Sequence, residues 1–148
     1  MIRRGTRSDM RAIAQLIADE IMESTYNKHV DTVDLEHIQK LVYSVLQVGY
    51  VWVYEVEGKL VGMLAAIKEA NVWVPDRITL KEAAWFVKPE HRGSVGAGKL
   101  FIKFCQEGDR LLANGEIVGY FTTRMSSTQD YDLESRGFRQ VEKLYIKD

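Results

Sequence analysis

The sequence predicts an α/β chain of the α+β kind, with a mixed, mostly antiparallel central sheet flanked by helices on both faces. Three observations predict it. Two stretches near the start carry apolar residues at helical spacing. Two runs rich in β-branched and aromatic residues follow, joined by a two-residue turn. A third such run leads through a glycine-rich segment into a further helical pattern, so helices fall between strands in only part of the chain.

Residues 2–5 read as a short strand. Ser8 is placed to N-cap a helix, with Asp9 beside its positive end. Met10, Ile13, Ala14, Ile17 and Ile21 carry the apolar stripe to about Ser24. Residues 25–33 are polar and irregular, and a second helix begins near Asp34. Its stripe is Leu35, Ile38, Leu41, Val42, Val45 and Leu46, and Gly49 is expected to end it in the left-handed conformation. Tyr50 to Val56 and Lys59 to Ile67 form a hairpin around Glu57-Gly58. A polar loop holding Trp73 and Pro75 leads into a strand from Ile78 to Lys88, stopped by Pro89. Gly96 to Asn114 is helical. Its buried face is Ala97, Leu100, Phe101, Phe104, Cys105, Gly108, Leu111 and Leu112, and Gly115 is its stop signal. A strand from Glu116 to Thr122, a short helix over 130–136 and a last strand from Phe138 to Ile146 complete the order βααβββαβαβ.

The length of 148 residues fits one domain, 1–148. A chain of this mass buries about two-thirds of its unfolded surface, enough for a core without staples. Twenty basic against 21 acidic side chains leave a net charge of −1, which argues against a nucleic-acid coat or a polybasic membrane binder. One cysteine excludes an internal disulfide and fits a reducing compartment. The basic N-terminus has no apolar run behind it, and no stretch approaches a membrane span. A cytoplasmic protein with no membrane or nucleic-acid partner is the expectation.

The chemistry lies in residues 85–100, where a strand runs into a glycine-rich turn that opens a helix. Glycines let a ligand approach the backbone, and the first helical amides point outward with no partner of their own. Arg92 adds a positive charge, so the ligand is a phosphate or pyrophosphate. The glycines at 93, 96 and 98 do not fit the dinucleotide fingerprint. Gly93 through Lys99 fits a P-loop until Leu100, which stands on the apolar stripe where a metal-binding hydroxyl is needed.

A third reading is a coenzyme A pyrophosphate loop. Val87-Lys88-Pro89-Glu90-His91-Arg92-Gly93 resembles the strand exit of the GNAT (Gcn5-related) N-acetyltransferase superfamily. Arg92 and Ala97 match the first and last positions of that family's loop, whereas Val95 stands where it usually has glycine. Leu133-Glu134-Ser135-Arg136-Gly137-Phe138 resembles its short helix closing in Gly-Phe, and the element order matches along nearly the whole chain. The resemblance implies an acyl-CoA N-acyltransferase-like fold and acetyl transfer from acetyl-CoA to a primary amine by direct attack on the thioester. It implies that Arg92, Gly93, Ser94, Val95, Gly96, Ala97 and Gly98 hold the pyrophosphate, and that the backbone of Phe86 and Val87 pairs with the pantetheine arm. The departure at Val95 and the leucine at 133, where the family has its usual acid tyrosine, leave an alternative: a coenzyme A-binding or interaction module without turnover.

Acetyl transfer needs an acceptor amine stripped of its proton and a proton for the departing thiolate. Glu82 is the candidate base, a carboxylate in a strand beside Ala83 and Ala84; the alternative is a surface glutamate paired with Lys81. Tyr131 is the candidate acid, and an amphipathic tyrosine at a helix edge is the alternative. His29 is either a second base or an ordinary exposed histidine, and Cys105 reads as core packing. No histidine pair has metal spacing, so no metal is expected.

Between Asp19 and His37 six acids (Asp19, Glu20, Glu23, Asp31, Asp34, Glu36) face one lysine, Lys28. Between Lys81 and Arg110 six bases exceed four acids. This distribution suits an anionic coenzyme and a cationic amine acceptor, either a small molecule or a protein; solvated helix faces explain the acids equally. Trp73 and its apolar neighbours Val72 and Val74 offer a lid, an acceptor wall or a homodimer contact, or else tuck against the first helices.

Overall fold

The computed structural model describes residues 1–24, 32–124 and 131–147. The strands are β1 (Ile2–Arg4), β2 (Tyr50–Val56), β3 (Lys59–Ala70), β4 (Ile78–Val87) and β5 (Tyr120–Phe121). The helices are α1 (Met10–Glu23), α2 (Leu35–Val48) and α3 (Val95–Ala113). The five strands form one sheet in the order β1-β2-β3-β4-β5, antiparallel except for the β4–β5 pair. Since β4 and β5 are parallel, the chain must cross over between them, and α3 is that crossover.

Both faces of the sheet are covered, as the sequence predicts. Ile13, Ala14, Leu16 and Ala18 of α1 and Ile38 and Val42 of α2 pack on Val51, Val53, Met63, Ala65, Ala84 and Phe86. Leu100, Phe101, Phe104 and Leu111 of α3 pack on Trp52, Leu64, Ala66, Leu80 and Val87 from the other side. Residues Val61 to Ala66 of β3 are buried throughout, because their side chains alternate between two covered faces. Leu100 is fully buried in the second cluster, which removes the P-loop reading.

The hairpin turn Glu57-Gly58 has positive φ at both residues, 49° and 75°, the geometry that matches the twist of a two-residue hairpin. Gly115 ends α3 at φ 70°, with its amide on the Leu112 carbonyl and that of Glu116 on Leu111.

Several expected elements differ. The first helix is led by a 3-10 turn over Arg7–Asp9, and a reciprocal cap of Thr6 and Asp9 replaces the cap expected from Ser8. Gly49 is extended (φ −117°, ψ −155°), because α2 runs directly into β2 with no reversal. Leu41 and Leu112 are exposed at the margins of their stripes. The strand expected over Glu116–Thr122 shrinks to Tyr120–Phe121, since Thr122 and Thr123 turn aside to bind Glu82. The helix expected over 130–136 is a 3-10 turn at Glu134–Arg136, closed by Gly137 at φ 87°.

The final strand expected from Phe138 is absent among the described residues, and 139–147 is exposed. Period 2 sets Gln140 and Glu142 between Phe138 and the apolar pair Leu144 and Ile146 on one face, and Arg139, Lys143 and Lys147 among Val141 and Tyr145 on the other. Polar or charged residues interrupt both faces, so pairing would bury little to offset its ordering cost. Phe138 alone stays packed, with its ring 5.6 Å from Phe101 and 5.3 Å from Tyr120.

Candidate active site

β4 carries a bulge: Ala65 faces Ala84 and Ala66 faces Glu82, leaving Ala83 as the extra residue. Beyond it, the amide of Lys88 bonds the Val61 carbonyl, so the even-numbered residues 86 and 88 belong to the β3 ladder. By alternation, the backbone groups of Trp85 and Val87 face the other way, towards β5. β5, however, pairs only with Leu80 and Lys81. The strands part at Glu82, and a cleft of about 670 Å³ opens in the gap. Its walls come from the end of α1, the second half of β4, the loop before α3 with that helix's first turn, and the segments around Thr123 and Tyr131.

Glu82 lies at the parting point and is 8% exposed. Its Oε2 accepts the Thr122 hydroxyl at 2.6 Å and the Thr123 amide at 3.2 Å. Burial pushes its pKa above the ordinary carboxylate value, and those two donors hold it back. The alternative pairing with Lys81 does not form, because successive strand residues face opposite ways and Lys81 sits 3.8 Å from Glu69.

Glu20, on the last turns of α1, lines the same cleft. Burial and the like charges of Glu82 and Glu23 push its pKa up to about 7, while the Trp85 amide pulls against them. Sequence reasoning placed Glu20 only in the acidic tally. Its helical spacing carries no sign that this turn meets β4.

Tyr131 also lines the cleft. Its ring meets Trp85 and Phe101 edge-on at 5.4 and 5.1 Å, and Arg136 lies over it at 5.0 Å. Its hydroxyl is buried with no hydrogen-bond partner among the described residues, and burial raises its pKa, so it stays protonated at neutral pH. Leu133 lies in the same wall.

The glycine-rich loop sorts into distinct roles. Gly93 turns the chain at φ 72°. Ser94 N-caps α3, its Oγ accepting the Ala97 amide at 3.2 Å. Val95 is the first helical residue, with its side chain in solvent, so the loop closes without glycine there. A Cβ on Gly96 would overlap the Tyr54 ring, so this glycine admits β2 against α3. A Cβ on Gly98 would meet nothing and would point into open space beside the cleft.

Arg92 folds back rather than reaching over the loop. Its Nε donates to the Val87 carbonyl at 2.7 Å, its Nη2 to Glu23 Oε2 at 2.7 Å, and its guanidinium lies 5.3 Å over the Phe86 ring. The loop is thereby tied to β4 and to α1 together.

The acids of the first two helices divide cleanly. Glu20 and Glu23 line the cleft; Asp19 accepts from Gln15, Asp34 caps α2, and Glu36 pairs with Lys40 in solvent. Asp31, Lys28 and His29 lie outside the described residues. Cys105 is half-buried with its thiol pKa raised by burial and by Asp109, the reverse of an activated thiol. Trp73 is 88% exposed on a turn whose Asn71 Oδ1 accepts the amides of Trp73 and Val74, so it does not tuck against the first helices. Among the described residues no helix is long and apolar enough to cross a membrane.

No protein-family model and no curated protein matches the chain. Solved structures do. A possible acetyltransferase from Clostridium difficile 630 superposes with a TM-score of 0.73 at 20% identity, covering 99% of this chain and 95% of that one. A predicted acetyltransferase from Clostridium acetobutylicum, solved with acetyl-CoA, gives 0.71 at 10% identity over 100% and 95%. An aminoglycoside acetyltransferase from a soil metagenomic sample, in complex with sisomicin, gives 0.65 at 21% over 99% and 95%. The chain has the acyl-CoA N-acyltransferase-like fold that these acetyltransferases share.

Proposed function

We propose that the chain is one catalytic domain that transfers an acetyl group from acetyl-CoA to a primary amine. One observation carries the reading: the buried carboxylate of Glu82 stands where β4 leaves β5, in a cleft that also holds the first turn of α3. The residues present fit the coenzyme. The amides of Val95 and Gly96, at the first turn of α3, have no intrahelical acceptor and suit a pyrophosphate. Gly98 leaves space beside them. On the edge of β4 that β5 does not cover, the Val87 carbonyl accepts from Arg92 and the Trp85 amide acts on Glu20, so the Trp85 carbonyl and the Val87 amide are the groups that suit an extended amide-bearing arm. The Phe86 backbone is taken by β3, so in this reading Trp85 replaces it as Val87's partner in that role.

Bound there, acetyl-CoA supplies the thioester carbonyl that the amine attacks, the C–N bond forming as the C–S bond breaks. Glu82 accepts the proton lost by the amine nitrogen. Burial raises its proton affinity towards that of a working base, and the Thr122 and Thr123 donors keep its carboxylate aimed. Tyr131 supplies a proton to the departing sulfur and regains one from solvent. Its hydroxyl has no competing acceptor among the described residues. Arg92 holds the loop in place through Val87 and Glu23 instead of acting as a free charge.

Calorimetric titration with acetyl-CoA, followed by a thiol-release assay over a panel of amines, tests this. Binding in the micromolar range with amine-dependent thiol release is expected. Binding without release over the whole panel would leave the coenzyme-binding module, and no binding at millimolar coenzyme would remove both readings.

A further inference from the structure

We propose that Tyr54 of β2 is a positioning residue for the coenzyme's pyrophosphate: its ring fixes where the Val95 and Gly96 amides stand, although Tyr54 lies outside the lining of the cleft. This rests on the acetyltransferase reading of the cleft and extends it to a residue on the sheet. Arg92 ties the start of the turn over 92–95 to β4 and α1, Gly93 reverses it, and Val95 leaves its side chain in solvent. Those contacts hold one end. Tyr54 holds both. Its ring meets the His91 ring edge-on at 6.2 Å, where the 3-10 turn Pro89–His91 enters the loop. At the exit, a Cβ on Gly96 would stand on the Cζ, Cε2 and hydroxyl oxygen of the same ring.

The packing around Tyr54 also fixes the register of the helix. Tyr54 pairs with Ile2 on one side and with Gly62 on the other, so it is held in the interior of the sheet. Gly62 adds no side chain, and Leu100 Cδ1 lies 3.3 Å from where its Cβ would be. Gly96 and Leu100 are four residues apart, so one face of α3 presents a small residue and then a large one. The sheet answers with a large residue, Tyr54, beside a small one, Gly62. Rotating or sliding α3 by one residue would set Val95 or Ala97 on the ring, and close packing has no room for the added carbon atoms. Val95 and Gly96 are the residues whose amides have no intrahelical acceptor. A displaced helix start therefore carries the pyrophosphate donors with it, and charge-assisted bonds weaken once they stretch beyond about 2.9 Å. A strand in mid-sheet is a firmer base for these donors than the loop they follow.

The test compares wild type with Tyr54→Phe, which keeps the ring, and Tyr54→Leu, which stays apolar but lacks Cζ and Cε2. Calorimetry reads acetyl-CoA affinity, and proton–nitrogen correlation spectra read which amides shift as acetyl-CoA is added. In wild type the amides of Val87, Val95 and Gly96 are expected to shift together. Tyr54→Phe is expected to match wild type within about threefold in Kd. Tyr54→Leu is expected to raise Kd about tenfold or more and to lose the shifts at Val95 and Gly96, while Val87 still responds at saturating coenzyme. Tyr54→Met, which keeps more of the volume, replaces Tyr54→Leu if that variant does not melt cooperatively. If neither folds, the ring serves the fold itself and the proposal is overturned. A Kd within threefold of wild type without the ring overturns it, as does an equal loss in Tyr54→Phe. So does a response lost at Val87 as much as at Gly96, or wild-type binding that leaves Val95 and Gly96 unshifted. Failure of wild type to bind acetyl-CoA overturns instead the reading on which the proposal rests.

Discussion

Thr122 donates its hydroxyl to Glu82 at 2.6 Å across the point where β5 leaves β4, so the carboxylate that the sheet buries is held by the strand that turns away from it. Glu82→Gln is expected to lower kcat by about 10²–10⁴-fold at unchanged acetyl-CoA affinity. Thr122→Val removes a donor that favours the charged form, so the Glu82 pKa rises further. The acidic limb of kcat/KM should then move to higher pH, with the plateau little altered. A pH profile that stays in place would detach Thr122 from the base.

Arg92 is expected to matter through its anchorage more than through its charge. Arg92→Ala frees the loop from Val87, Glu23 and the Phe86 ring together, and acetyl-CoA affinity should fall about tenfold. Glu23→Gln breaks only a half-exposed ion pair, worth about 1 kcal/mol or less, so affinity should change under about threefold. Arg92→Lys cannot bridge the Val87 carbonyl and Glu23 with one planar fork and should resemble alanine. Calorimetry on the three variants separates these cases; equal losses for Glu23→Gln and Arg92→Ala would make the ion pair the decisive contact.

Much of this was legible beforehand, and the reasons differ by residue. The sheet, both helix layers and the hairpin at Glu57-Gly58 followed from periodicity, which reports local faces well. Glu82 stood out because a carboxylate in an apolar strand needs a reason. Glu20 did not, because its partners Glu82 and Trp85 lie more than sixty residues on and only the packing of α1 on β4 joins them. Gly96 read as a phosphate-loop glycine, yet its space is taken by Tyr54, a contact between distant segments. The final strand failed for a local reason: Gln140 and Glu142 interrupt the face that Phe138, Leu144 and Ile146 share.

Two glycines of the loop should separate stability from binding. Gly96→Ala drives a methyl group into the Tyr54 ring and should destabilise the fold by about 1–3 kcal/mol. Gly98→Ala meets open space inside a helix, where alanine is favoured by about 0.5–1 kcal/mol. It should raise the melting temperature by about 1–4 °C. Because Gly98 lines the cleft, the same substitution should weaken acetyl-CoA binding. Thermal melts beside calorimetry read the two effects independently; a Gly98→Ala variant both more stable and equally tight would place the coenzyme away from this turn.

Asp9 and Glu20 should tilt stability in opposite directions with pH. The Arg3 guanidinium, bonded to Asp9 at 2.8 and 2.9 Å, and the Thr6 amide and hydroxyl hold the Asp9 pKa well below the usual carboxylate range. That contribution is present above the unfolded value of about 4 and is lost as pH falls through the lower folded value. Glu20 runs the other way, because its folded pKa is raised to about 7. Its contribution is complete below about pH 4 and is lost as pH rises through 7, so ionised Glu20 costs stability above neutral pH. Glu20→Gln should therefore stabilise the coenzyme-free protein by about 1–2 kcal/mol at pH 8 and by nothing at pH 4. Asp9→Asn should destabilise it by about 2 kcal/mol at pH 7, a penalty that shrinks below pH 3. Melting curves of the three proteins across this range decide the matter. A Glu20→Gln gain of equal size at pH 4 and pH 8 would mean that packing, and not the buried charge, is what the substitution relieves.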